Sequence, residues 1–163
     1  MLFVVSVAAS IGLLVLGGGL ASADVNDFTV TNFAADYYLS RSDPQGALDI
    51  HEQISVDFTD FNHGILRALP ERYNGMPLHI KVEKVALNSV REQYTTYTSN
   101  GNLVLKIGDP NHTMTGKQSY EVDYKVVNVM RFPASHDELD WNVNGTAWQQ
   151  PFEHVKATLH VPA

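Results

Sequence analysis

Two charged residues stand in stretches that are otherwise patterned as buried strands. Glu52 falls in the row of alternate apolar residues of segment 48–58, and Arg67 follows that segment in the apolar stretch 63–70. Because an isolated buried charge is very costly, a carboxylate in such a row must be neutral, paired or at the rim. We predict that Glu52 and Arg67 form a structural ion pair that fixes strand register. A ligand-binding acid and base is the alternative interpretation of the same two residues.

Four aromatic residues form a second candidate site. Trp141 and Trp148 flank an Asn-Gly turn, while Tyr94 and Tyr97 lie in a segment rich in tyrosine and threonine. Exposed rings in one row would offer a stacking surface for sugar rings. Tryptophans more often pack in or at the edge of a core, where their large apolar area is buried. A carbohydrate- or peptidoglycan-binding module is therefore an alternative function.

Other chemistry is weakly represented. The seven histidines include no HExxH and no close pair at metal-ligand spacing, and the absence of cysteine excludes thiol nucleophiles, thiolate metal sites and disulfides. No GxSxG, Walker or GxGxxG motif occurs. We therefore predict no catalytic residue, no cofactor and no metal site. A hydrolase whose site is assembled from loops is a further alternative.

Length and composition indicate one globular domain. The chain has 163 residues, 44% of them hydrophobic and 18% charged, which suffices for a real core. Its formal net charge of -7 leaves no basic stripe for phosphates, so nucleic acid is not an expected partner. The same charge disfavours docking through a basic patch on anionic lipid.

The elements that must position these residues are strands. Apolar and polar residues alternate in segments 28–39, 48–58, 78–82, 103–107, 120–126 and 155–161, with turn residues between them. A change of parity near Asn32 predicts a β-bulge, and the turn around Pro44 predicts an antiparallel hairpin of the first two strands. Helix is expected at most as a turn or two near Ser135–Leu139. We predict an all-β, immunoglobulin-like β-sandwich of about eight or nine strands.

The N-terminal segment has the pattern of a targeting signal. Residues 1–23 contain no charged side chain, and an apolar run ends in Ala-Ser-Ala before Asp24. This pattern predicts a helical signal peptide over residues 1–23, cut between Ala23 and Asp24, and a sandwich domain over 24–163. An uncleaved transmembrane anchor is the alternative, since the run approaches the roughly 18–20 apolar residues that span a bilayer. Both interpretations place the domain outside the cytoplasm.

The order of these landmarks resembles the bacterial domain of unknown function 2207. The stretches that carry the likeness are HEQISVDF, HGILRALP, LVLKIGDPNHTMTGKQSYEVDYKV and DELDWNVNGTAWQQPFEHVKATLHVPA. Members of that family resemble exported domains at the N-terminus of predicted membrane proteins. The likeness places the following residues at the family's motif positions: Glu52, Gly64, Arg67, Pro70, Gly108, Gly116, Tyr120, Tyr124, Trp141, Asn142, Gly145, Trp148 and Pro162.

The resemblance implies a module of the bacterial cell envelope without an established reaction. We expect an exported, extracellular-facing, non-enzymatic domain that serves interaction or assembly. Its partner would be an unknown envelope protein or a glycan. The family implies a membrane tether, and because no apolar span follows the last strand of this chain, we expect the tether to come from a segment outside it.

Overall fold

The computed structural model describes residues 27–40, 46–73 and 75–162 and is built from strands throughout. Eight strands have six or more residues, and the described residues contain no helix. The strands are β1 Phe28–Leu39, β2 Leu48–Asn62, β3 Ile65–Pro70, β4 Arg72–Tyr73, β5 Met76–Pro77, β6 Lys81–Leu87, β7 Val90–Arg91, β8 Tyr94–Ser99, β9 Asn102–Ile107, β10 Met114–Val126, β11 Met130–Arg131, β12 Glu138–Leu139 and β13 Val155–His160. The predicted all-β fold is confirmed.

Two sheets form the body of the domain. The larger has six strands in the order β13-β1-β2-β10-β6-β7, and the smaller has three strands in the order β3-β9-β8. Two short ladders, β4-β5 and β11-β12, complete the described pairing. The segment Ser135–Leu139, where the sequence allowed at most a turn or two of helix, contains no helix: Glu138 and Leu139 extend to pair with Arg131 and Met130 as strands.

The first two long strands form the predicted antiparallel hairpin. Their register runs from Phe28 opposite Phe58 to Leu39 opposite Leu48. It shifts between Val30 and Asn32, where the change of sequence parity predicts a bulge. The bulge keeps the apolar residues on both sides of it facing inward, so the whole of β1 contributes to the core.

The core lies between the inner faces of the two sheets, which supports a sandwich. Phe33, Ile54 and Tyr120 of the larger sheet and Leu105 and Ile107 of the smaller sheet are fully buried in one cluster. Burying these side chains supplies the main driving force of the fold. The immunoglobulin-like type stays a prediction.

Two glycines allow a close backbone contact between the segment that precedes β3 and the segment that follows β9. Gly64 and Gly108 have φ angles of 144° and 130°, a conformation that disfavours side chains. A Cβ on Gly64 would collide with the carbonyl of Ile107, and one on Gly108 with the carbonyl of His63. The two backbones are therefore in direct contact beside Ile65 and Ile107, at the end of the ladder between β3 and β9.

The predicted signal peptide and its cleavage between Ala23 and Asp24 lie outside the described residues. Within the described ranges, no helix has the length and apolarity needed to traverse a bilayer.

Candidate functional site

Glu52 lies in the middle of β2 on the face that points into the core. Its backbone neighbours are Ala35 on β1 and Val122 on β10, and its side chain is fully buried. The alternation of β2 dictates this orientation, because Ile50 and Ile54 share the same inward row. A charged group has thus been placed where only complete pairing can stabilise it.

Arg67 meets Glu52 from the opposite sheet. Its Nε donates to Oε2 of Glu52 at 2.7 Å and its Nη2 donates to Oε1 at 2.6 Å. The side chains are 3% and 0% exposed, so almost no surface of either one is accessible to solvent. Two parallel N–H···O bonds are the geometry in which a guanidinium binds a carboxylate most strongly. The structure therefore brings the two predicted partners together.

Three further groups complete the hydrogen bonding of the pair. Nη1 of Arg67 donates to the carbonyls of Ala68 and Asn144, at 2.9 and 3.1 Å. The hydroxyl of Tyr124 donates to Oε1 of Glu52 at 2.7 Å. With these bonds the pair has partners from both sheets and from the loop before β13, which offsets the cost of burying two charges.

The loop 141–148 closes over the guanidinium. Its Asn142 side chain accepts a hydrogen bond from the backbone N–H of Gly145 at 3.0 Å, and Trp148 Nε1 donates to the carbonyl of Asn144 at 2.8 Å. Gly145 has a φ angle of 79°, and a Cβ there would come within 3.2 Å of Nη1 of Arg67. The Asn-x-x-Gly spacing therefore builds a turn whose carbonyl points at the buried cation.

Two aromatic rings pack near the guanidinium of Arg67. The centre of the Arg67 guanidinium lies 5.6 Å from the ring centroid of Phe33 and 5.9 Å from that of Trp148. At these distances the negative faces of the rings attract the cation. Trp148 thus stabilises the pair twice, through its ring and through its hydrogen bond to Asn144.

The electrostatics of the cluster favour fixed protonation states. Burial alone would lower the pKa of Arg67, but the charge and hydrogen bonds of Glu52 raise that pKa above its ordinary value. Burial and then the Glu52 charge raise the pKa of Tyr124 well above its usual range. The same two causes raise the pKa of Tyr37, whose hydroxyl donates to the carbonyl of Val143 at 3.0 Å. Both hydroxyls are therefore hydrogen-bond donors at neutral pH.

A small cavity of about 160 Å³ lies beside the ion pair. Its wall includes Arg67, Tyr73, Trp141, Asn142 and Thr146. The cavity is smaller than the roughly 300–1,000 Å³ typical of small-molecule sites, so it does not by itself indicate a ligand.

The four aromatics proposed as a stacking surface do not form one row. Trp141 and Trp148 are half-buried and pack against the core. Tyr94 and Tyr97 are exposed on β8, but they are three residues apart in a strand with regular pairing. Their side chains therefore point to opposite faces of the smaller sheet. This arrangement counts against a single aromatic platform.

Two of the seven histidines, His51 and His160, lie on the outer face of the larger sheet. His51 Nδ1 lies 2.5 Å from a carboxylate oxygen of Asp123, and His160 Nε2 lies 2.7 Å from one of Asp36. In the part of the chain that the structure describes, no three His, Asp or Glu side chains are grouped to hold a metal ion. These contacts are surface hydrogen bonds that join neighbouring strands.

Sequence reasoning missed the groups that complete the ion pair. Tyr124 lies in the inward row of β10 with Tyr120 and Val122, and that pattern alone indicates a buried hydroxyl in need of an acceptor. No feature of the sequence predicts that the carbonyl of Asn144 accepts from Arg67. Every residue has a carbonyl, and this one reaches Arg67 only because of how the loop folds.

Comparison with solved structures finds partial likenesses to two large enzymes. An M1 zinc metallopeptidase from Deinococcus radiodurans is 13% identical, with 62% of this chain and 21% of that chain covered at a TM-score of 0.45. Native leukotriene A4 hydrolase from Saccharomyces cerevisiae is 8% identical, with 61% of this chain and 15% of that chain covered at a TM-score of 0.46. The chain therefore spans about a fifth or less of either enzyme's length. Such low scores do not extend either activity to this chain.

The family comparison is more extensive. No curated protein matches the chain in sequence. Residues 29–163 match the family described as predicted membrane protein (DUF2207) N-terminal domain. The match includes both members of the buried ion pair and the loop that closes over Arg67, and it confirms the resemblance found in the sequence. The chain belongs to this DUF2207 N-terminal domain family.

Proposed function

We propose that the chain is an exported, non-enzymatic module of the bacterial cell envelope that serves interaction or assembly. Membership of a family of membrane-protein N-terminal domains supports a place on the outer side of the membrane. The apolar leader that ends in Ala-Ser-Ala supports the same location.

One observation carries the non-enzymatic part of the proposal. The most distinctive polar residues, Glu52 and Arg67, are buried, bidentate and hydrogen-bonded to groups of the chain itself. A catalytic acid or base needs access to a substrate proton, whereas Glu52 is fully buried and Arg67, although it lines the small cavity, is already bound to three acceptors of the chain. Their hydrogen bonds hold the two sheets and the loop 141–148 together. We therefore place the function of the module on its surfaces.

Labelling in intact cells tests the location. The chain has no cysteine, so Thr96→Cys on the exposed strand β8 provides one reactive thiol in the full chain. A membrane-impermeant maleimide should label it in bacterial cells whose outer layers have been permeabilised but whose cytoplasmic membrane is intact. A cytoplasmic cysteine protein in the same cells serves as the control and should react only after lysis. Labelling of the chain only after lysis would contradict export.

Affinity capture tests the interaction role. The full chain is used as bait on detergent-solubilised envelope fractions, beside the Arg67→Met variant as a control with a weakened fold. A partner held by the native chain and lost with the variant would support the proposal. If neither bait retains any protein, or if both retain the same proteins under conditions in which only the native chain is folded, the interaction role is wrong.

A further inference from the structure

The C-terminal strand β13 leaves an apolar row uncovered at the edge of the larger sheet. Val155 and Leu159 are 48% and 49% exposed, and Val161, just beyond the strand, is 65% exposed. Val155, Ala157 and Leu159 lie beside Phe33, Ala35 and Tyr37 of β1, which face the core. The inner, apolar layer of the sheet therefore continues past the part that the smaller sheet covers.

The free edge of β13 also offers backbone hydrogen bonds. The N–H of Phe33 donates to the carbonyl of His154, so the even-numbered backbone groups of the strand point toward β1. Because these groups alternate along a strand, the N–H and C=O groups of Val155, Ala157 and Leu159 point outward. An unpaired row of this kind is a template for another strand.

The two long edge strands of the smaller sheet, β3 and β8, have a different chemistry. In β3 the apolar Ile65 and Leu69 are buried, and Pro70 at its end has no N–H to donate. The other edge of that sheet is β8. Each of its six residues is a tyrosine, threonine or serine, so side-chain hydroxyls solvate both of its faces. The far edge of the larger sheet is β7, which has only two residues. Among the described edges, β13 thus combines six residues of length with an exposed apolar row.

We propose that β13 is a pairing surface for β13 of a second copy of this chain. A twofold axis perpendicular to the sheet would join the two strands antiparallel, and such an axis leaves the inner face of both sheets on the same side. The proposal names a partner for the interaction role and rests on the proposed function only to that extent, since pairing can be measured wherever the chain is located.

The sequence of the strand is self-complementary, and the register centred on Thr158 pairs each apolar residue from Val155 to Val161 with another apolar residue. With Thr158 opposite Thr158 of the second copy, Val155 meets Val161 and Ala157 meets Leu159. Apolar residues then face apolar residues across the axis, and the outward backbone groups of these odd-numbered residues form the hydrogen-bonded pairs. Shifting the centre to Ala157 would put Glu153 opposite Val161, which is less favourable.

The polar face tolerates the same register. Lys156 would lie opposite His160, but His160 is already bound to Asp36 at 2.7 Å and stacked on Tyr38 with ring centroids 4.3 Å apart. The carboxylate of Asp36 offsets the positive charge that a protonated His160 would place near Lys156. Thr158 is left to pair with itself as a non-hydrogen-bonded position.

A single cysteine tests the register directly. Opposed residues at a non-hydrogen-bonded antiparallel position have Cα atoms about 4.5 Å apart, within the range that a disulfide spans. The full chain with Thr158→Cys, purified in mild detergent and mildly oxidised, should form a covalent dimer on a non-reducing gel. The matched control is Thr96→Cys at the middle of β8, which should give about tenfold less dimer at the same concentration. Equal yields from the two variants would overturn the proposal.

Two further outcomes are decisive. Adding Leu159→Lys to Thr158→Cys should lower dimer formation by about tenfold, because a charge replaces an apolar residue beside the axis, opposite Ala157 of the second copy. Thr96→Lys in the same background is the control and should not change the yield. Sedimentation of the unmodified chain should show a dimer whose fraction rises with concentration. A monomer at every concentration, or a disulfide to a different protein in cells, would refute self-pairing at this edge.

Discussion

The two faces of the larger sheet hold ion pairs of the same length in opposite surroundings. On the inner face Arg67 and Glu52 approach to 2.6 Å with side chains 3% and 0% exposed. On the outer face Lys84 and Glu121 also approach to 2.6 Å, but their side chains are 49% and 18% exposed. Distance alone does not distinguish these pairs, whereas burial does.

The comparison of the two faces shows that a buried ion pair needs further polar partners, whereas an exposed ion pair does not. Water and salt screen the outer pairs, so each contributes little and needs no further partner. The inner pair has lost its hydration, and the protein replaces that hydration with Tyr124, two backbone carbonyls and two aromatic rings. Removing one inner partner therefore exposes the full cost of a buried charge.

Matched replacements of the two cations should give the largest contrast. Arg67→Met leaves Glu52 buried without its counter-ion, so we expect the free energy of unfolding to fall by about 3–5 kcal/mol. Lys84→Met removes the cation of the exposed pair and should leave the urea midpoint nearly unchanged. Urea unfolding followed by tryptophan fluorescence measures both. Similar midpoints for the two variants would show that burial does not set the contribution of the inner pair.

Two tyrosines of β10 sharpen the comparison within the core. Tyr124 donates to the charged Glu52, while the buried Tyr120 donates, within the described residues, to the sulfur of Met114 at 3.5 Å. Hydrogen bonds to charged groups contribute about 1.5–3 kcal/mol, so Tyr124→Phe should lower the free energy of unfolding by that amount. Tyr120→Phe should lower it by clearly less. Equal losses would mean that the Tyr124 hydroxyl does not support the carboxylate.

The loop over Arg67 can be tested through two glycines with similar backbones. Gly145 and Gly101 have φ angles of 79° and 74°, but only Gly145 would place a Cβ near another group, 3.2 Å from Arg67 Nη1. Alanine at either position incurs the same cost of about 1 kcal/mol for a left-handed conformation. Gly145→Ala should lower the thermal midpoint further than Gly101→Ala. If Gly101→Ala is the more damaging, the loop does not press on the guanidinium.

The outer face should show the smallest effect, and it should depend on pH. The hydrogen bond from His160 is the main cause that lowers the pKa of Asp36 below its ordinary value of 3.8. A carboxyl whose pKa is lower in the folded state stabilises the fold above its unfolded pKa and loses that contribution as pH falls. The stability difference between the native chain and Asp36→Asn should therefore be present at neutral pH, begin to shrink as the pH falls to about 3.8, and vanish only below the lowered pKa of the folded state. A difference that grows on acidification would contradict this assignment.

The alternation of residues was enough to predict much of this architecture. An inward Glu52, a bulge near Asn32 and the first hairpin all follow from which residues share a row. The need of a buried carboxylate for a counter-ion then pointed to Arg67, because it lies on a similarly apolar background. These predictions depend on local pattern and on the cost of a bare charge, both of which the sequence displays.

The remaining features depend on long-range geometry. Alternation in Val155–His160 predicts a strand but does not say that it runs parallel to β1. The carbonyl of Asn144 becomes a ligand of Arg67 only after the loop has folded across 77 residues of sequence separation. The direct contact of the Gly64 and Gly108 backbones is equally invisible, since glycine in a turn has many uses. Side-chain pattern does not encode which backbones meet.

A double-mutant cycle on Glu52→Gln and Arg67→Met tests the central claim most directly. The free energies of unfolding of the native chain, both single variants and the double variant are measured by urea titration at neutral pH. If the two side chains stabilise each other in the core, the double variant loses less than the sum of the single losses, by at least about 1 kcal/mol. Losses that add within about 0.3–0.5 kcal/mol would show that the pair is not coupled and would contradict the account.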